Sequence, residues 1–451
     1  MALRFPHPLV LLVAGVLAAA ALTWIVPAGV YDRRDDPATG KPVVVAGTYH
    51  AVARAPVGPF DAVVQIPKGL INAADIVFFV FLVGGAFTVV DKTGALRRAV
   101  DWLADRLQHR RGWVVPVVCV VFAAGGALEN LQEEIIALVP VLLLLCRRLG
   151  FDPLTAAAMS IGAASVGSAF SPVNPFQAVI AQKLAELPQL SAAGYRMAFF
   201  VPALGIWIWG VQRHARRLPA ATEESAPPVQ NDGASVAGPY SAAAILALVG
   251  AGFVVFILGV TRWEWGFEQD AAVFFVMGAT AGLIGRLGFN GTAEAFVEGF
   301  GAMAFGALLI GFARAIYVVL DAGHVVDTLV AGLFAPLQGL PVGLAAAGMV
   351  AGQAVLHPAV PSVSGQAVLT LPILVPLADL LHLPRQVVVL AFQYGAGICE
   401  LLIPTNGALM AILGAAKVRY SDWLRFTWPL YLALVGLGLV AVLVGIAVGL
   451  R

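Results

Sequence analysis

Ser168-Ala169-Phe170-Ser171-Pro172-Val173-Asn174-Pro175 interrupts an apolar run at about 152–187, and Pro404-Thr405-Asn406-Gly407 interrupts another at 385–416. Both runs are long enough to cross a bilayer, and both breaks fall near mid-depth. Proline removes a backbone donor and breaks the helical ladder, which frees carbonyls for a cation. Asn174 followed by Pro175 reads as an N-cap with proline at the first helical position, so a new half-helix starts there. Its free amides and positive dipole end suit a carboxylate. One such break is an ordinary proline kink. A matched pair points to a binding site.

The remainder of the chain agrees with a membrane setting. Of its 451 residues, 60% are hydrophobic and only 12% charged, and the mean hydropathy is +0.88. A soluble exterior of this size needs more charge, so the chain reads as an all-α polytopic membrane protein whose partner is the lipid bilayer. A net charge of +1 gives no electrostatic footprint for nucleic acid. Cys119, Cys146 and Cys399 have no CxxC or His spacing and read as small core residues.

The first apolar run, Pro8 to Pro27, has the length of a spanning helix rather than of a signal sequence. Further runs lie at about 75–90, 113–127, 131–146, 195–212, 241–261, 272–287, 303–320, 342–356, 366–381 and 428–449. The Lys/Arg-rich segment 91–112, Arg147–Arg148, Arg213/Arg216/Arg217, Arg286 and Lys417/Arg419/Arg425 should face the cytoplasm, with the N-terminus and the Pro/Ala-rich linker 213–239. The 113–127 and 131–146 runs lie between two cytoplasmic clusters, so they read as a re-entrant hairpin. Segment 30–72 reads as an extracytoplasmic loop.

A shift of 232 residues superimposes Pro140 on Pro372, Pro172 on Pro404 and Asn174 on Asn406. Segment 91–112 is arginine-rich, whereas its counterpart near 321–343 has no Lys or Arg, so the halves read as inverted repeats, a signature of secondary transporters. A second hairpin then spans 342–381, with His357 to Gly365 at its tip. Hairpin and broken helix fall in 113–187 and in 342–416. Scaffold helices fall in 1–112, 188–212, 240–341 and 417–451.

Ser168, Ser171, Ser362, Ser364, Gln366 and Thr405 offer neutral ligands beside Asn174 and Asn406, although small hydroxyls also serve helix packing. Glu133, three residues after Asn130, fits either a capping box or a substrate contact. Glu134, Glu129 and Glu400 lie near apolar spans, where carboxylates are expensive and default to function, either in ion coupling or opposite a substrate amine. His357 fits a proton relay or a hydrogen-bonded tip residue. Arg314, the clear intramembrane cation, fits an ion pair with an acid such as Asp321 or a scaffold contact better than a substrate contact.

The stretches NPFQAVIAQKLAELPQLSAAGYR (174–196), PSVSGQAVLTLPILVPLADLLHLPRQVVVLAFQYGAG (361–397) and LLIPTNGALM (401–410) resemble the YfcC family, relatives of the anaerobic C4-dicarboxylate carriers in the ion transporter superfamily. FPHPLVLLV…WIVPAGVYDR near the N-terminus fits as well. The resemblance implies an elevator-type transporter of the bacterial inner membrane and a homodimeric scaffold. It places the superfamily's Ser-Asn-Thr-like motifs on Ser171/Asn174 and Thr405/Asn406, with hairpin tips near Glu133 and Ser362/Ser364. One departure is Tyr394-Gly395-Ala396-Gly397, where relatives are expected to carry an acid.

These readings give a secondary active transporter of a small carboxylate-bearing metabolite, with no cofactor beyond Na⁺ or H⁺ as coupling ion. Sodium would sit near Asn174 and Asn406. A C4-dicarboxylate stands first as substrate. Exchange of an amino acid is the alternative, because acids outnumber Lys and Arg near the breaks; that the amino acid is a basic one is what the resemblance implies. An intramembrane enzyme is the remote reading, since HExxH, Asp-rich metal motifs and supported Ser/His pairs are missing.

Overall fold

The computed structural model of the chain describes residues 8–37, 41–96, 98–99, 111–217, 239–263 and 265–450. The first seven residues, most of the expected 213–239 linker and much of the 91–112 segment lie outside them. Among the described residues, seven helices are long and apolar enough to cross a membrane, and four shorter apolar helices accompany them. Large apolar side chains such as Phe60, Phe78, Trp113, Val121 and Val440 are exposed. Lipid covers such a surface at no cost, whereas water does not.

The chain starts with α1 (Pro8–Ile25), then forms two antiparallel ribbons, β1 (Gly29–Val30) with β4 (His50–Ala51) and β2 (Arg33–Asp36) with β3 (Lys41–Val44). The expected loop 30–72 does not stay irregular, because α2 (Pro59–Asn72) occupies its last part. Pro59 opens this helix at a position that needs no donor. Its buried face of Ala62, Gln65 and Gly69 is narrow, and Pro67 and Lys68 hide the period in a hydropathy scan. A Cβ on Gly69 would meet Gly311 O at 2.6 Å, so the helix lies directly against a neighbouring backbone.

Next come α3 (Ala74–Lys92), α4 (Arg111–Glu129) and α5 (Ile135–Arg148), the last two joined by the tip 130–134. The first broken helix follows. It consists of α6 (Pro153–Ala157), a π-turn (Ala158–Gly162), α7 (Ala163–Phe170), the break 171–174, a second π-turn (Pro175–Val179) and α8 (Ile180–Leu184). Then α9 (Ala193–Arg217), α10 (Pro239–Arg262), α11 (Phe267–Ile284), α12 (Gly288–Ala322) and α13 (Val326–Phe334) complete the middle of the chain. At 35 residues α12 is far longer than its apolar run. Glu294 and Glu298 interrupt the hydropathy without interrupting the helix, and Glu298 pairs with Lys92.

The second hairpin is α14 (Val342–Leu356) and α15 (Val363–Leu380) around the tip 357–362. The second broken helix is α16 (Arg385–Phe392), a π-turn (Gln393–Gly397), the break 398–406 and α17 (Gly407–Ala415), and α18 (Tyr420–Ala447) ends the fold. The two broken helices pack together. Phe170 and Tyr394 have ring centroids 4.7 Å apart, and a Cβ on Gly397 would meet Gln177 Oε1 at 2.4 Å and Ala169 Cα at 3.0 Å. Arg385 adds a tie across the halves, donating to Glu186 at 2.7 Å and to Ala185 O at 3.1 Å.

Candidate functional site

The first break is held from within. Asn174 Oδ1 accepts from the N–H groups of Phe176 and Gln177, and its amide donates to Gly126 O at 2.8 Å. Ser171 Oγ donates to Ala127 O and accepts from the N–H groups of Val173 and Asn174. Ser168 Oγ donates to Asn130 Oδ1 at 2.8 Å. All three side chains are fully buried. Asn130 takes the left-handed φ of 57°, a conformation asparagine tolerates, and turns its amide into the break.

Arg196 supports the first break from behind. It is fully buried and donates to Gln393 Oε1, Gln386 Oε1 and Ser191 O, while Gln393 donates to Ser171 O at 3.0 Å. A guanidinium served by neutral acceptors alone is costly to bury, and here it ties α9 to α16 and its π-turn and, through Gln393, to the first break. A lone arginine in an apolar stretch was its available signal.

The second break opens onto a cavity of about 270 Å³. Asn406 Oδ1 caps α17 by accepting from Leu409 N–H, and its amide donates to Gln132 Oε1 at 3.0 Å. Glu400 Oε2 accepts from Gln132 Nε2 at 2.5 Å, and His357 Nε2 lies 3.8 Å from Glu400 Oε1. His357 Nδ1 meets Gln366 Oε1 at 2.7 Å, and Gln366 in turn donates to Gln353 O at 2.8 Å. Ser362 caps α15 by accepting from Gly365 N–H. Thr405 lines the cavity, and its Oγ1 is buried with no hydrogen-bond partner among the described residues.

Of the sequence candidates, Glu133, His357, Ser362, Ser364, Glu400, Thr405 and Asn406 line this cavity. Ser168, Ser171, Asn174, Gln366 and Glu134 do not. They shape the backbone behind it. Glu134 Oε2 accepts from Gln132 N–H at the head of α5. The capping box drawn from Asn130 to Glu133 does not form, because α5 starts only at Ile135 and Asn130 turns toward the first break. Arg314 does not pair with Asp321. It donates from Nε to Asn72 Oδ1 at 2.7 Å, stacks over Tyr317, and lines the cavity.

Asn72, Asp75 and Gln132 were not foreseen, yet all three line the cavity. Asn72-Ala73-Ala74-Asp75 is a short polar seam between two helices, and that seam was the only signal for Asn72 and Asp75, whereas Gln132 stands in the tip 130–134. The cavity thus has one wall from the breaks and tips, and another from α2, α3 and α12. A second cavity of about 530 Å³ adjoins it, sharing Arg314 and Ser362. Its outer wall is built by Tyr31 and Arg33, both tied to Asp327, at 2.9 and 3.0 Å.

As for ions, no group of three or more His, Cys, Asp or Glu side chains stands ready for a metal among the described residues. The side-chain oxygens of Asn174 and Asn406 are already taken by backbone donors. Among the described residues, the buried neutral oxygens near the breaks without a hydrogen-bond partner include Gln177 Oε1, Thr405 Oγ1 and the Tyr394 hydroxyl.

The asymmetry of the breaks carries a prediction. Asn174→Ala removes a cap and a buried amide bond, so it should cost about 1–2 kcal/mol of stability. It should leave ligand affinity within about threefold, less than 1 kcal/mol. Thermal melting with and without ligand separates the two effects.

A family model described as C4-dicarboxylate anaerobic carrier matches residues 5–448. The chain belongs to that family. As a C4-dicarboxylate anaerobic carrier family member it is a multi-pass membrane transporter. It is 32% identical to the Escherichia coli (strain K12) protein named "Putative basic amino acid antiporter YfcC", over 93% of this chain and 92% of that protein. An uncharacterized Haemophilus influenzae protein is 27% identical over 98% of this chain and 97% of its own length. Among solved structures, the Alcanivorax borkumensis YdaH transporter is similar at 18% identity and a TM-score of 0.45, covering 98% of this chain and 99% of that one.

Proposed function

We propose that this carrier exchanges a basic amino acid across the bacterial cytoplasmic membrane by elevator-type alternating access. The observation that carries the reading is the charge of the cavity. Asp75, Glu133 and Glu400 face Arg314 as the sole Lys or Arg among the described lining residues. A cationic amino acid matches that set. Its carboxylate meets Arg314 and the helix starts at Ser362 and Asn406, while its two cationic groups meet the acids. The printed name of the Escherichia coli relative supports the same substrate class.

A C4-dicarboxylate, placed first by the sequence and supported by the description of the family, is the second reading. Protons held on Glu133 and Glu400 would favour it, and the contact between His357 and Glu400 gives one of those carboxyls a partner for proton exchange. The hairpins and broken helices would move as one body against α2, α3 and α12. The cavity lies at that boundary and meets the second cavity on the side of the 30–72 ribbons.

Thermal stabilisation of the purified protein separates the readings, since a ligand that binds the native state raises its melting temperature by mass action. Arginine, lysine or ornithine should stabilise without sodium, and succinate and fumarate should not. A sodium-dependent shift with succinate alone would replace the amino acid by the dicarboxylate.

A further inference from the structure

At the end of the molecule rich in Lys and Arg, a cavity of about 1060 Å³ opens between α9 and α18. It shares no lining residue with the transport cavity. The two helices bring their basic ends together there. Arg213 and Arg217 come from the last turns of α9, Arg425 from the first turns of α18, and Lys417 from the turn before it.

Two carboxylates line the same cavity, and both are engaged. Asp152 meets His214 at 3.1 Å, and Asp422 meets Arg419 at 2.7 Å. Arg213, Arg217, Lys417 and Arg425 have no carboxylate partner among the described residues. Five Lys or Arg against two Asp leave the described lining net positive, so an anion placed among the four unpaired cations is favoured.

Away from this rim the lining turns apolar, through Ile206 on one helix and Pro429, Leu430 and Ala433 on the other. From Arg217 to Ile206 an α-helix rises about 16 Å, close to half of a hydrocarbon core of about 30 Å. The exposed indoles of Trp209 and Trp428 suit the interface between those layers. Arg213 lies over the Trp209 ring at 5.1 Å.

We propose that this cavity is a binding site for an anionic phospholipid. The phosphate headgroup sits among Arg213, Arg217, Lys417 and Arg425, and an acyl chain lies along the apolar wall. A soluble anion would use the rim and leave the wall unexplained. The density of basic residues would set the site against the cytoplasmic leaflet.

The test is native mass spectrometry of the whole chain in a neutral detergent, titrated with phosphatidylglycerol or phosphatidylcholine of matched chains. Wild-type protein should prefer phosphatidylglycerol by about tenfold or more, as expected for several basic groups on one headgroup. The R213Q/R425Q variant should lose that preference and R213K/R425K should keep it. Should R213Q/R425Q not fold, R217Q/K417Q gives the same readout. An equal preference in wild type, or an unchanged one in the folded Gln variants, overturns the proposal. Glycerol 3-phosphate occupying the site as well as phosphatidylglycerol does so too, because the apolar wall would then contribute nothing.

Discussion

Arg314→Gln is expected to cut transport by about tenfold at a substrate concentration about ten times the wild-type Kd, with the fold retained. Arg314 is half-buried, and one of its N–H groups donates to Asn72. Its terminal nitrogens have no hydrogen-bond partner among the described residues, and the residue lines the cavity. A guanidinium offers paired donors in the geometry of a carboxylate, and losing such a charged contact costs about 2–3 kcal/mol, or roughly 100-fold in affinity. The loss to the fold is one hydrogen bond to an exposed asparagine and the stacking on Tyr317, together about 1–2 kcal/mol. Arg314→Lys keeps the charge without the fork, so it should fall between, near about tenfold weaker. Binding titrations followed by melting temperature check all three proteins. Full affinity in Arg314→Gln would remove the carboxylate from this end of the cavity.

Glu400→Gln should have the second large effect. Glu400 accepts from Gln132, faces His357, and receives the Asn406 amide at its backbone carbonyl at 3.3 Å. Glutamine preserves the shape and can still accept from Gln132, so stability should change by less than about 2 kcal/mol. The negative charge disappears, and with it the partner of a substrate ammonium or guanidinium. Affinity for arginine should fall by about 100-fold, the loss of a charge-assisted contact of about 3 kcal/mol. A dicarboxylate should lose no affinity, because a neutral residue 400 does not repel it. Measured against arginine and succinate in parallel, a loss for one and none for the other distinguishes the substrates.

Much of this architecture was legible because its signals are local. Proline and asparagine at 172–175 and 404–406 mark the breaks, which lie a constant 232 residues apart in the sequence. The two hairpin tips follow from glycine and polar residues between apolar runs. By contrast, α2 is amphipathic and carries Pro67 and Lys68, so it looked like a loop. The start of α12 carries Glu294 and Glu298 and looked like solvent-exposed chain. Neither pattern passes a hydropathy filter, and both helices are held by tertiary packing.

The site was legible on one side only. Thr405, Asn406, Ser362 and Glu400 were visible as polar residues at helix ends. The opposite wall was not, because Asn72, Asp75 and Arg314 reach the cavity only after α2 and α12 pack together. Nor does the offset reveal which asparagine lines the cavity. Asn174 is sealed by Gly126 and Asn130, whereas Asn406 borders the cavity. The difference arises from tertiary contacts that the offset does not encode.

Counterflow in proteoliposomes tests the central claim most directly. Vesicles loaded with unlabelled arginine should take up external labelled arginine transiently above its equilibrium level, without added sodium, and succinate loading should give no such overshoot. An overshoot with succinate and none with arginine would contradict basic amino-acid exchange.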